Sequence, residues 1–510
     1  MKRRDFLAAA SLGAVAAPAL LGMSRKAGRA LAGGFVDDGG AAGHRLRDGA
    51  AMPAPAETVR VPIAIVGGGI AGLSASWELE RRGMRDFVVL ELERAAGGNA
   101  RSGANAVSAY PWAAHYVPVP DPKATLVREL FTELGVLRDG VWDERALCFS
   151  PQERLFMYGQ WHAGIEPDFA LDAAGRAQFA RFEALIAERR ASGEFTIPSS
   201  RGKRSSPLDT MSMSTWLTSN GLTAPELRWY VDYACRDDFG ALARDTSAWA
   251  GVHYFAARPH DEPGPLTWPE GNGWILKRLL AKLGAYVRAG EPAYRVERAG
   301  TGWRVLTPRA AYLCDAVIFA APTFLAPHVI GELAGRRSSF TYSPWLTANL
   351  TLDRLPAERS GRGAPLSWDN VLYDSPALGY VVATHQSLRT FEERSVWTYY
   401  WSLAEHAPAD ARRLLLARGW HEWTELILAD LERAHPDLRG CVSRIDVMRM
   451  GHAMPRPTPG FLLAPERTGA WSLPRLYFAH SDMSGLALFE EAQDHGVTAA
   501  RRAMAVVGRA

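Results

Sequence analysis

Lysine and cysteine are both scarce in this chain of 510 residues, and each shortage excludes a class of protein. There are only six lysines, and the net charge of +3 comes from arginines interspersed with acids, so nothing predicts nucleic-acid binding. The four cysteines lie far apart in the sequence, with no CxxC or Cys/His spacing. We therefore predict no metal site, and we predict that the cysteines are isolated buried thiols. If the protein is exported, a disulfide is the alternative.

Long apolar runs are also missing, which argues against a stable membrane span. The apolar run from Ala8 to Met23 falls short of the roughly 20 residues that a spanning helix needs. It follows Arg3-Arg4 and precedes a small-x-small pattern ending at Ala32, an arrangement that resembles a twin-arginine export signal. A general secretory signal or an uncleaved anchor helix is the alternative.

The resemblance to an export signal carries further expectations. It implies that residues 1–32 are a signal peptide read by the twin-arginine translocase, cleaved after Ala32, with the folded protein delivered to the periplasm. Residues 33–58 are rich in Gly, Ala and Pro, and this composition predicts a flexible linker.

A dinucleotide-binding pattern follows directly. The apolar run Ile63–Val66 predicts a buried parallel strand, and Gly67, Gly69 and Gly72 then form G-x-G-x-x-G at the start of a helix. Glu91 ends the next apolar strand, at the spacing where a carboxylate accepts hydrogen bonds from a ribose. Strand, glycine turn, helix and acid together predict a bound dinucleotide, with the phosphates at the helix N-terminus.

The residues after Glu91 indicate which dinucleotide is bound. Gly97-Gly98 resembles the diphosphate-contacting segment of the flavin amine oxidase and phytoene desaturase superfamily, which binds FAD. Asn99 stands where that family usually has Arg, and Arg101 follows two residues later.

Two further blocks resemble the same superfamily. The segment 473–504 is similar to its closing motif, with Asp482 at the position of the acid that binds the ribityl chain. His480 and Glu491 replace glycines of that motif. The segment 266–322 is similar to the family's Pro-x-Gly-Gly turn and the strand that returns to the FAD domain.

Together these blocks predict an α/β fold. It is a Rossmann-type FAD-binding domain, glutathione reductase-like and of amine oxidase type, interleaved with an α+β substrate domain. The FAD domain is assigned to residues 59–119, 264–335 and 456–510, and the substrate domain to residues 120–263 and 336–455. The resemblance implies these cofactor-binding residues: Gly67, Gly69, Ile70, Ala71, Gly72, Glu91, Leu92, Gly97, Gly98, Asn99, Arg101, Ala293, Ala321, Asp482, Glu491 and Ala492.

Candidate catalytic residues are aromatic or titratable side chains in the remaining segments. His115 lies where the resemblance takes the chain past the flavin, and His452 precedes the last FAD block. Tyr399 and Trp401 are two apart on a predicted strand, so they share one face, which we expect to line the substrate pocket.

The resemblance implies hydride removal from a C–N bond of a small amine to flavin N5. An FAD-dependent desaturase or isomerase on an apolar substrate, or a non-catalytic flavin-binding partner protein, remains the alternative. The family's amine oxidases generally place a Lys near the flavin, but residues 340–353 contain none and Thr347 stands near its position. Either oxygen or a periplasmic electron acceptor could therefore reoxidise the flavin.

Overall fold

The computed structural model describes residues 31–36, 40–202, 205–258, 264–357, 363–388 and 393–507. The predicted twin-arginine motif and apolar run lie outside the described residues.

Helices and strands occur in runs along this length, such as the helices of residues 173–256 and the strands of residues 287–319. The helices are α1 Gly40–Arg47, α2 Ile70–Arg81, α3 Thr125–Glu133, α4 Ala173–Ala191, α5 Met213–Ser219, α6 Pro225–Phe239, α7 Ala248–Ala256, α8 Gly273–Leu283, α9 Ala326–Val329, α10 Pro408–Ala417, α11 Trp420–Glu432, α12 Pro465–Thr468 and α13 Phe489–Val507.

The strands are β1 Ala32–Phe35, β2 Glu57–Arg60, β3 Ile63–Val66, β4 Phe87–Glu91, β5 Ser102–Ala104, β6 Ala109–Pro111, β7 Tyr116–Val117, β8 Leu137–Arg138, β9 Val141–Trp142, β10 Glu153–Met157, β11 Gln160–Ala163, β12 Leu266–Thr267, β13 Val287–Ala289, β14 Arg295–Ala299, β15 Gly302–Leu306, β16 Ala310–Cys314, β17 Ala316–Phe319, β18 Thr341–Leu352, β19 Asp369–Leu372, β20 Tyr380–Val382, β21 Ser395–Trp401, β22 Val442–Arg456 and β23 Leu476–Phe478.

One of the two main sheets has five parallel strands, in the order β13-β4-β3-β17-β23. Its central strands are apolar along their whole length because helices or loops cover both faces. Helices α2 and α13 pack against each other beside it, so closely that a Cβ on Gly496 would lie 2.2 Å from the Ala71 carbonyl oxygen. The first turn of α2 therefore packs against α13 at Gly496.

The other main sheet has eight strands of mixed direction, in the order β1-β22-β18-β21-β20-β19-β10-β11. One face packs against α10 and α11 in a core that includes Leu350, Trp397 and Trp423. The opposite face packs toward α6, and its core includes Trp345 and Val371. Since successive side chains on a strand point to opposite faces, strands such as β20 and β21 divide their residues between the two cores.

The predicted flexible linker is wrong over much of its length. Residues Ala32–Phe35 pair in parallel with β22, α1 follows, and β2 pairs with β16. Gly33 has φ +129°, and a Cβ there would lie 1.8 Å from the Ile445 carbonyl oxygen, so only glycine fits this approach. Composition alone could not predict this strand, because Ala32–Phe35 is ordered by its pairing with β22.

The four cysteines are free and buried. Within the described ranges, no cluster of His, Cys, Asp and Glu has a geometry that could hold a metal ion. No helix in that part of the chain is both long and apolar enough to cross a membrane.

Candidate active site and cofactor groove

The turn between β3 and α2 has the geometry that a dinucleotide diphosphate requires. Gly67 has φ +107°, and a Cβ there would lie 2.8 Å from the backbone of Ala320 and Ala321. A Cβ on Gly72 would lie 1.9 Å from the Gly67 carbonyl oxygen, so this glycine is needed for the turn itself. A Cβ on Gly69, by contrast, would meet no protein atom within 4 Å. The space beside Gly69 and the partly exposed Ile70 forms an open groove at the helix N-terminus.

Glu91 is buried at the end of β4 and borders this groove. Its carboxylate accepts hydrogen bonds from the backbone N–H groups of Gly68 at 2.7 Å and Glu93 at 2.8 Å. Burial raises its pKa, and the two backbone donors oppose that shift. The segment leading to Ala293 lies alongside, because Glu291 N–H donates to the Glu91 carbonyl oxygen. These contacts fix Glu91 and leave the partly exposed Leu92 at the adenosine end of the groove.

The Gly97-Gly98 segment forms the opposite wall of the groove. Gly97 N–H donates to the Gly68 carbonyl oxygen, and a Cβ on Gly98 would lie 3.6 Å from Gly69 Cα. Asn99 is exposed and donates through Nδ2 to the Ala453 carbonyl oxygen at 2.9 Å. Arg101 lies 3.8 Å from Glu93. The structure thus places the positive charge of Arg101 beside an acid at the adenosine end.

Asp482 is fully buried near the end of β17. Its Oδ2 accepts hydrogen bonds from Thr323 N–H at 2.8 Å, Thr323 Oγ1 at 3.0 Å and Tyr342 OH at 2.8 Å. Its Oδ1 has no hydrogen-bond donor in the structure, and His480 Nδ1 lies 3.0 Å from it. The neighbouring His480 and the hydroxyl donors hold the pKa of Asp482 below its usual range despite burial.

The start of α13 carries Glu491 and Ala492. The Glu491 carboxylate accepts hydrogen bonds from Ser199 N–H and Ser484 Oγ, so protein donors engage both of its oxygens. Any cofactor contact made by Glu491 is therefore left to its backbone. Ala492 is partly exposed, as is Ala321 across the groove.

The groove residues fit FAD. The open side of Gly69, the exposed Gly98 and the buried Glu91 suit the diphosphate and the adenosine ribose, and Asp482 Oδ1 retains capacity to accept a hydroxyl proton. When bound, FAD supplies the capacity to accept a hydride.

His115 lies beside this groove on a loop that is held at several points. Trp112 N–H and Ala114 N–H donate to the carbonyl oxygens of Arg101 and Asn99, and Thr267 Oγ1 donates to the His115 carbonyl at 2.7 Å. The His115 ring stacks on Tyr400 at 4.7 Å. Burial lowers the pKa of His115 to about 4, so the imidazole is neutral at neutral pH.

The structure contradicts the placement of Tyr399 and Trp401 in the pocket. They do share a face of β21, but that face packs on α10 and α11. Tyr399 donates to Asp430 at 3.0 Å, and Trp401 lies against Trp423 at 5.7 Å. The residue between them, Tyr400, faces the site instead.

Tyr400 is the residue that the sequence argument missed. It is buried, and it donates through its hydroxyl to the Ala113 carbonyl oxygen at 3.0 Å. With His115, Tyr116 and Trp368 it forms an aromatic cluster. The stretch "VWTYYW" has aromatic residues on both faces of the strand, so only the register of the sheet could identify the correct one.

His452 is exposed near the groove, next to the Ala453 carbonyl that Asn99 binds. Its ring stacks on Phe324 at 4.7 Å and lies 6.0 Å from Tyr342, the partner of Asp482. Packing of the ring desolvates it in part and, together with the charge of Arg412, lowers the pKa of His452. A catalytic role for His452 stays a prediction.

An acidic cavity adjoins the aromatic cluster. It has a volume of about 330 Å³ and is lined by Glu153, Ala163, Gly164, Ile165, Glu166, Asp168, Tyr230 and Tyr254. Tyr230 OH donates to Glu166 at 3.0 Å. Glu153 is exposed on the wall of this cavity, and desolvation by the surrounding protein, together with the charge of Glu166, raises its pKa to about 7.

Two further carboxylates lie between the cavity and the aromatic cluster. Asp369 stands opposite Glu153 on the paired strands β19 and β10, and it accepts from Tyr233 OH at 3.4 Å. Burial, then the charges of Glu153 and Asp237, raise the pKa of Asp369 well above its usual range. Burial and the charge of Asp238 raise the pKa of Asp237 to about 7.

Comparison with known proteins agrees with this geometry. A model of the flavin-containing amine oxidoreductase family matches residues 70–504. No curated protein matches the chain by sequence. A solved putrescine oxidase with putrescine bound is similar in structure, with 18% identity, a TM-score of 0.67, and coverage of 88% of this chain and 100% of its own.

Two other solved structures have comparable similarity. Cyclohexylamine oxidase from Brevibacterium oxydans has 15% identity, a TM-score of 0.65, and coverage of 88% of this chain and 99% of its own. A fatty acid isomerase from P. acnes has 16% identity, a TM-score of 0.62, and coverage of 87% and 98%. The predicted fold class and FAD cofactor are confirmed: the chain belongs to the flavin-containing amine oxidoreductase family and is an FAD-dependent oxidoreductase.

Proposed function

We propose that this enzyme removes a hydride from a C–N bond of a small amine. The observation that carries the proposal is an acidic cavity whose lining residues Ile165 and Tyr230 share a core with Trp368 and Tyr400 of the aromatic cluster. Amines are cations at neutral pH, and carboxylates together with aromatic ring faces are the groups that attract them. The related putrescine and cyclohexylamine oxidases support the same substrate class.

In this proposal, different residues of the chain attract the amine and orient it. The carboxylates of Glu153 and Asp237 attract the cation, and the rings of Tyr116 and Tyr400 orient it. His115 is neutral and its Nδ1 lies 3.3 Å from the Ala113 carbonyl, which favours protonation at Nδ1 and leaves Nε2 as an acceptor. In that form Nε2 can accept a hydrogen bond from the ammonium group and orient it.

A desaturase or isomerase of an apolar substrate is the second candidate, because a fatty acid isomerase is among the similar structures. An acidic cavity disfavours it, since a fatty acid carboxylate would be repelled by Glu153 and Glu166.

Anaerobic spectroscopy distinguishes these candidates. Addition of 1,4-diaminobutane, cyclohexylamine or an unsaturated fatty acid to the FAD-loaded protein should bleach the oxidised flavin band only with an amine. Bleaching by no compound in a broad amine panel would contradict amine oxidation and favour a non-catalytic flavin-binding protein.

We also propose that a periplasmic electron acceptor, rather than oxygen, would reoxidise the enzyme. Thr347 takes the place of the family's Lys on β18, and its buried Oγ1 has no hydrogen-bond partner in the structure. The expected result is slow hydrogen peroxide release and fast reduction of an artificial electron acceptor. Peroxide release as fast as dye reduction would contradict this proposal.

Export through the twin-arginine translocase is a further part of the proposed function. The sequence Arg3-Arg4 and the dispersed cofactor groove support it, because the groove combines residues as distant as Gly69 and Asp482 and exists only after folding. Cleavage after Ala32 would leave Gly33–Phe35 paired with β22. Replacing both arginines by lysine should leave FAD-bound precursor in the cytoplasm, and normal export of that variant would contradict the proposal.

A further inference from the structure

The first turn of α13 carries two adjacent buried acids, Glu490 and Glu491. Glu491 stands where the similar superfamily has a glycine, and it directly precedes Ala492, which is partly exposed to the cofactor groove. The free N–H groups at the start of a helix favour negative charge nearby. A carboxylate that can be ionised therefore lies one residue from the groove.

The Glu491 carboxylate is the inner end of a chain of side-chain hydrogen bonds. Ser484 Oγ donates to Glu491 Oε2, and the same Oγ lies 2.7 Å from His495 Nε2. His495 follows Glu491 by four positions, about one helical turn, so the two side chains lie on the same face of α13. Glu491 and Ser484 are buried, whereas His495 is partly exposed. The chain thus leads from a buried carboxylate toward the protein surface.

Each link of this chain can pass a proton. A hydroxyl donates one hydrogen and also accepts, and a neutral imidazole has one nitrogen that donates and one that accepts. With Glu491 ionised, the carboxylate uses the hydrogen of Ser484, so Ser484 accepts from an N–H at His495 Nε2. His495 Nδ1 is then the nitrogen without a proton, ready to accept one.

The charged groups around Glu491 act on its pKa in both directions. Burial raises the pKa, whereas the hydrogen bonds from Ser484 and Ser199 and the charge of Arg467 oppose this shift. The carboxyl of Glu490 lies within electrostatic reach of Glu491, and a second negative charge would disfavour its ionised form. Glu491 is therefore a group whose protonation responds to a further change of charge nearby.

The surroundings of His495 keep its imidazole neutral. Desolvation lowers its pKa below the usual range, and Asp494 opposes this shift while Arg467, His480 and Arg502 add to it. A neutral imidazole can take a proton on one nitrogen and release one from the other. His495 can therefore act as the outer link without carrying a lasting charge.

Reduction of the bound cofactor changes the charge in the groove. FAD supplies the capacity to accept electrons, and added electrons bring negative charge toward the start of α13. A negative charge that develops near a carboxylate raises the pKa of that carboxylate. By linkage, reduction of the cofactor and protonation of Glu491 then favour each other.

We propose that Glu491, Ser484 and His495 form a proton relay through which Glu491 takes up one proton when the bound cofactor is reduced. The Ser484 hydroxyl proton moves to Glu491 Oε2, the His495 Nε2 proton moves to Ser484 Oγ, and a proton from solvent binds at His495 Nδ1. Glu491 becomes neutral and His495 changes tautomer. The electrons go to the cofactor, and reoxidation reverses each proton transfer.

The number of protons taken up at equilibrium tests the acceptor. The midpoint potential of the flavin, measured against pH by spectroelectrochemistry of the FAD-loaded protein, gives the protons bound per two electrons. Near neutral pH, wild type should bind about one proton more than Glu491→Gln, because glutamine keeps the shape but cannot be protonated. Infrared difference spectra between reduced and oxidised protein should show the carbonyl band of a protonated carboxylic acid in wild type and not in Glu491→Gln.

The rate of protonation tests the path. Ser484→Ala retains Glu491, so it should reach the wild-type proton count, but the carboxylic acid band should appear at least about tenfold more slowly after light-triggered reduction. Ser395→Ala is the matched control, because it removes a buried serine hydroxyl that lies 2.8 Å from Thr384 Oγ1 on the other sheet. It should retain the wild-type rate. If Ser484→Ala does not fold, His495→Gln interrupts the chain at its outer link.

Both parts of the proposal can fail. An equal proton count in wild type and Glu491→Gln, or no carboxylic acid band in wild type, would overturn Glu491 as the acceptor. A band that appears at the wild-type rate in Ser484→Ala, or in His495→Gln where that variant replaces it, would overturn the relay. Light-driven reduction makes these results independent of which substrate the enzyme oxidises.

Discussion

The ring of His115 stacks on the ring of Tyr400 at a centroid distance of 4.7 Å, with 28° between the planes. This contact joins the loop beside the cofactor groove to the centre of the eight-stranded sheet. The Tyr400 hydroxyl adds a hydrogen bond to the Ala113 carbonyl in the same loop. The eight-stranded sheet therefore positions a loop that borders the cofactor groove.

A comparison of Tyr400→Phe with Tyr399→Phe tests this contact between the sheet and the loop. Loss of the hydrogen bond to Ala113 should lower kcat/KM about fivefold, the effect of one net hydrogen bond of about 1 kcal/mol. Tyr399→Phe loses a bond to Asp430 on the far face of the sheet, so it should reduce Tm and leave kcat/KM within about twofold. A larger loss of activity in Tyr399→Phe than in Tyr400→Phe would show that the register of β21 is wrong.

Two alanine substitutions in the glycine turn should separate folding from cofactor binding. Gly69 has φ −76° and open space at its Cβ, so Gly69→Ala should fold with the Tm of the wild-type apoprotein and lose most of its FAD. Gly72→Ala would force a Cβ to 1.9 Å from the Gly67 carbonyl oxygen and should destabilise the apoprotein itself.

The measurements are thermal unfolding of apoprotein and flavin content after gel filtration. Full FAD retention by Gly69→Ala would contradict the placement of the diphosphate.

Asp482→Asn tests the buried acid of the closing motif. In the wild type, three donors share the charged Oδ2 of Asp482. The amide of the variant has the same shape but presents these donors with either N–H hydrogens or a neutral oxygen. We expect a loss of about 2 kcal/mol in the free energy of unfolding, because hydrogen bonds to a charged group are lost. Retained FAD should also decrease. Unfolding in urea with Asp315→Asn as the control checks the prediction, since Asp315 pairs with an exposed Arg60. Equal stability of the two variants would contradict it.

The carboxylates of Glu153 and Asp237 should make activity and stability depend on pH in opposite directions. The pKa values of Glu153 and Asp237 near 7 mean that a cationic substrate meets fully ionised carboxylates only above neutral pH, so kcat/KM should rise as pH increases through about 7.

The pKa values of Glu153 and Asp237 are higher in the folded protein than in the unfolded chain, so the folded protein binds more protons. Their contribution to the free energy of unfolding is therefore present at low pH and is lost as pH rises toward 7. Glu153→Gln should therefore raise Tm at pH 8 and have little effect at pH 5. A Tm decrease at pH 8 would contradict the repulsion between these carboxylates.

The sequence predicted local features well and long-range ones poorly. The glycine turn and Glu91 lie within one strand-helix-strand unit, so spacing alone identified them. The choice of Tyr399 over Tyr400 failed because β21 is buried on both faces, and the alternation that normally identifies the inner face is absent. Ala32–Phe35 forms a strand only through its pairing with β22, which has no local signal. Glu153, Asp237 and Asp369 come from distant segments, so only the fold brings them together.

The central claim is that this FAD-dependent oxidoreductase oxidises an amine, and anaerobic titration of the flavin tests it most directly. Addition of 1,4-diaminobutane to the FAD-loaded protein, free of oxygen, should bleach the oxidised flavin band, and admission of an electron acceptor should restore it. An unchanged spectrum with 1,4-diaminobutane and with every other amine of a broad panel, from protein that retains FAD, would contradict the account.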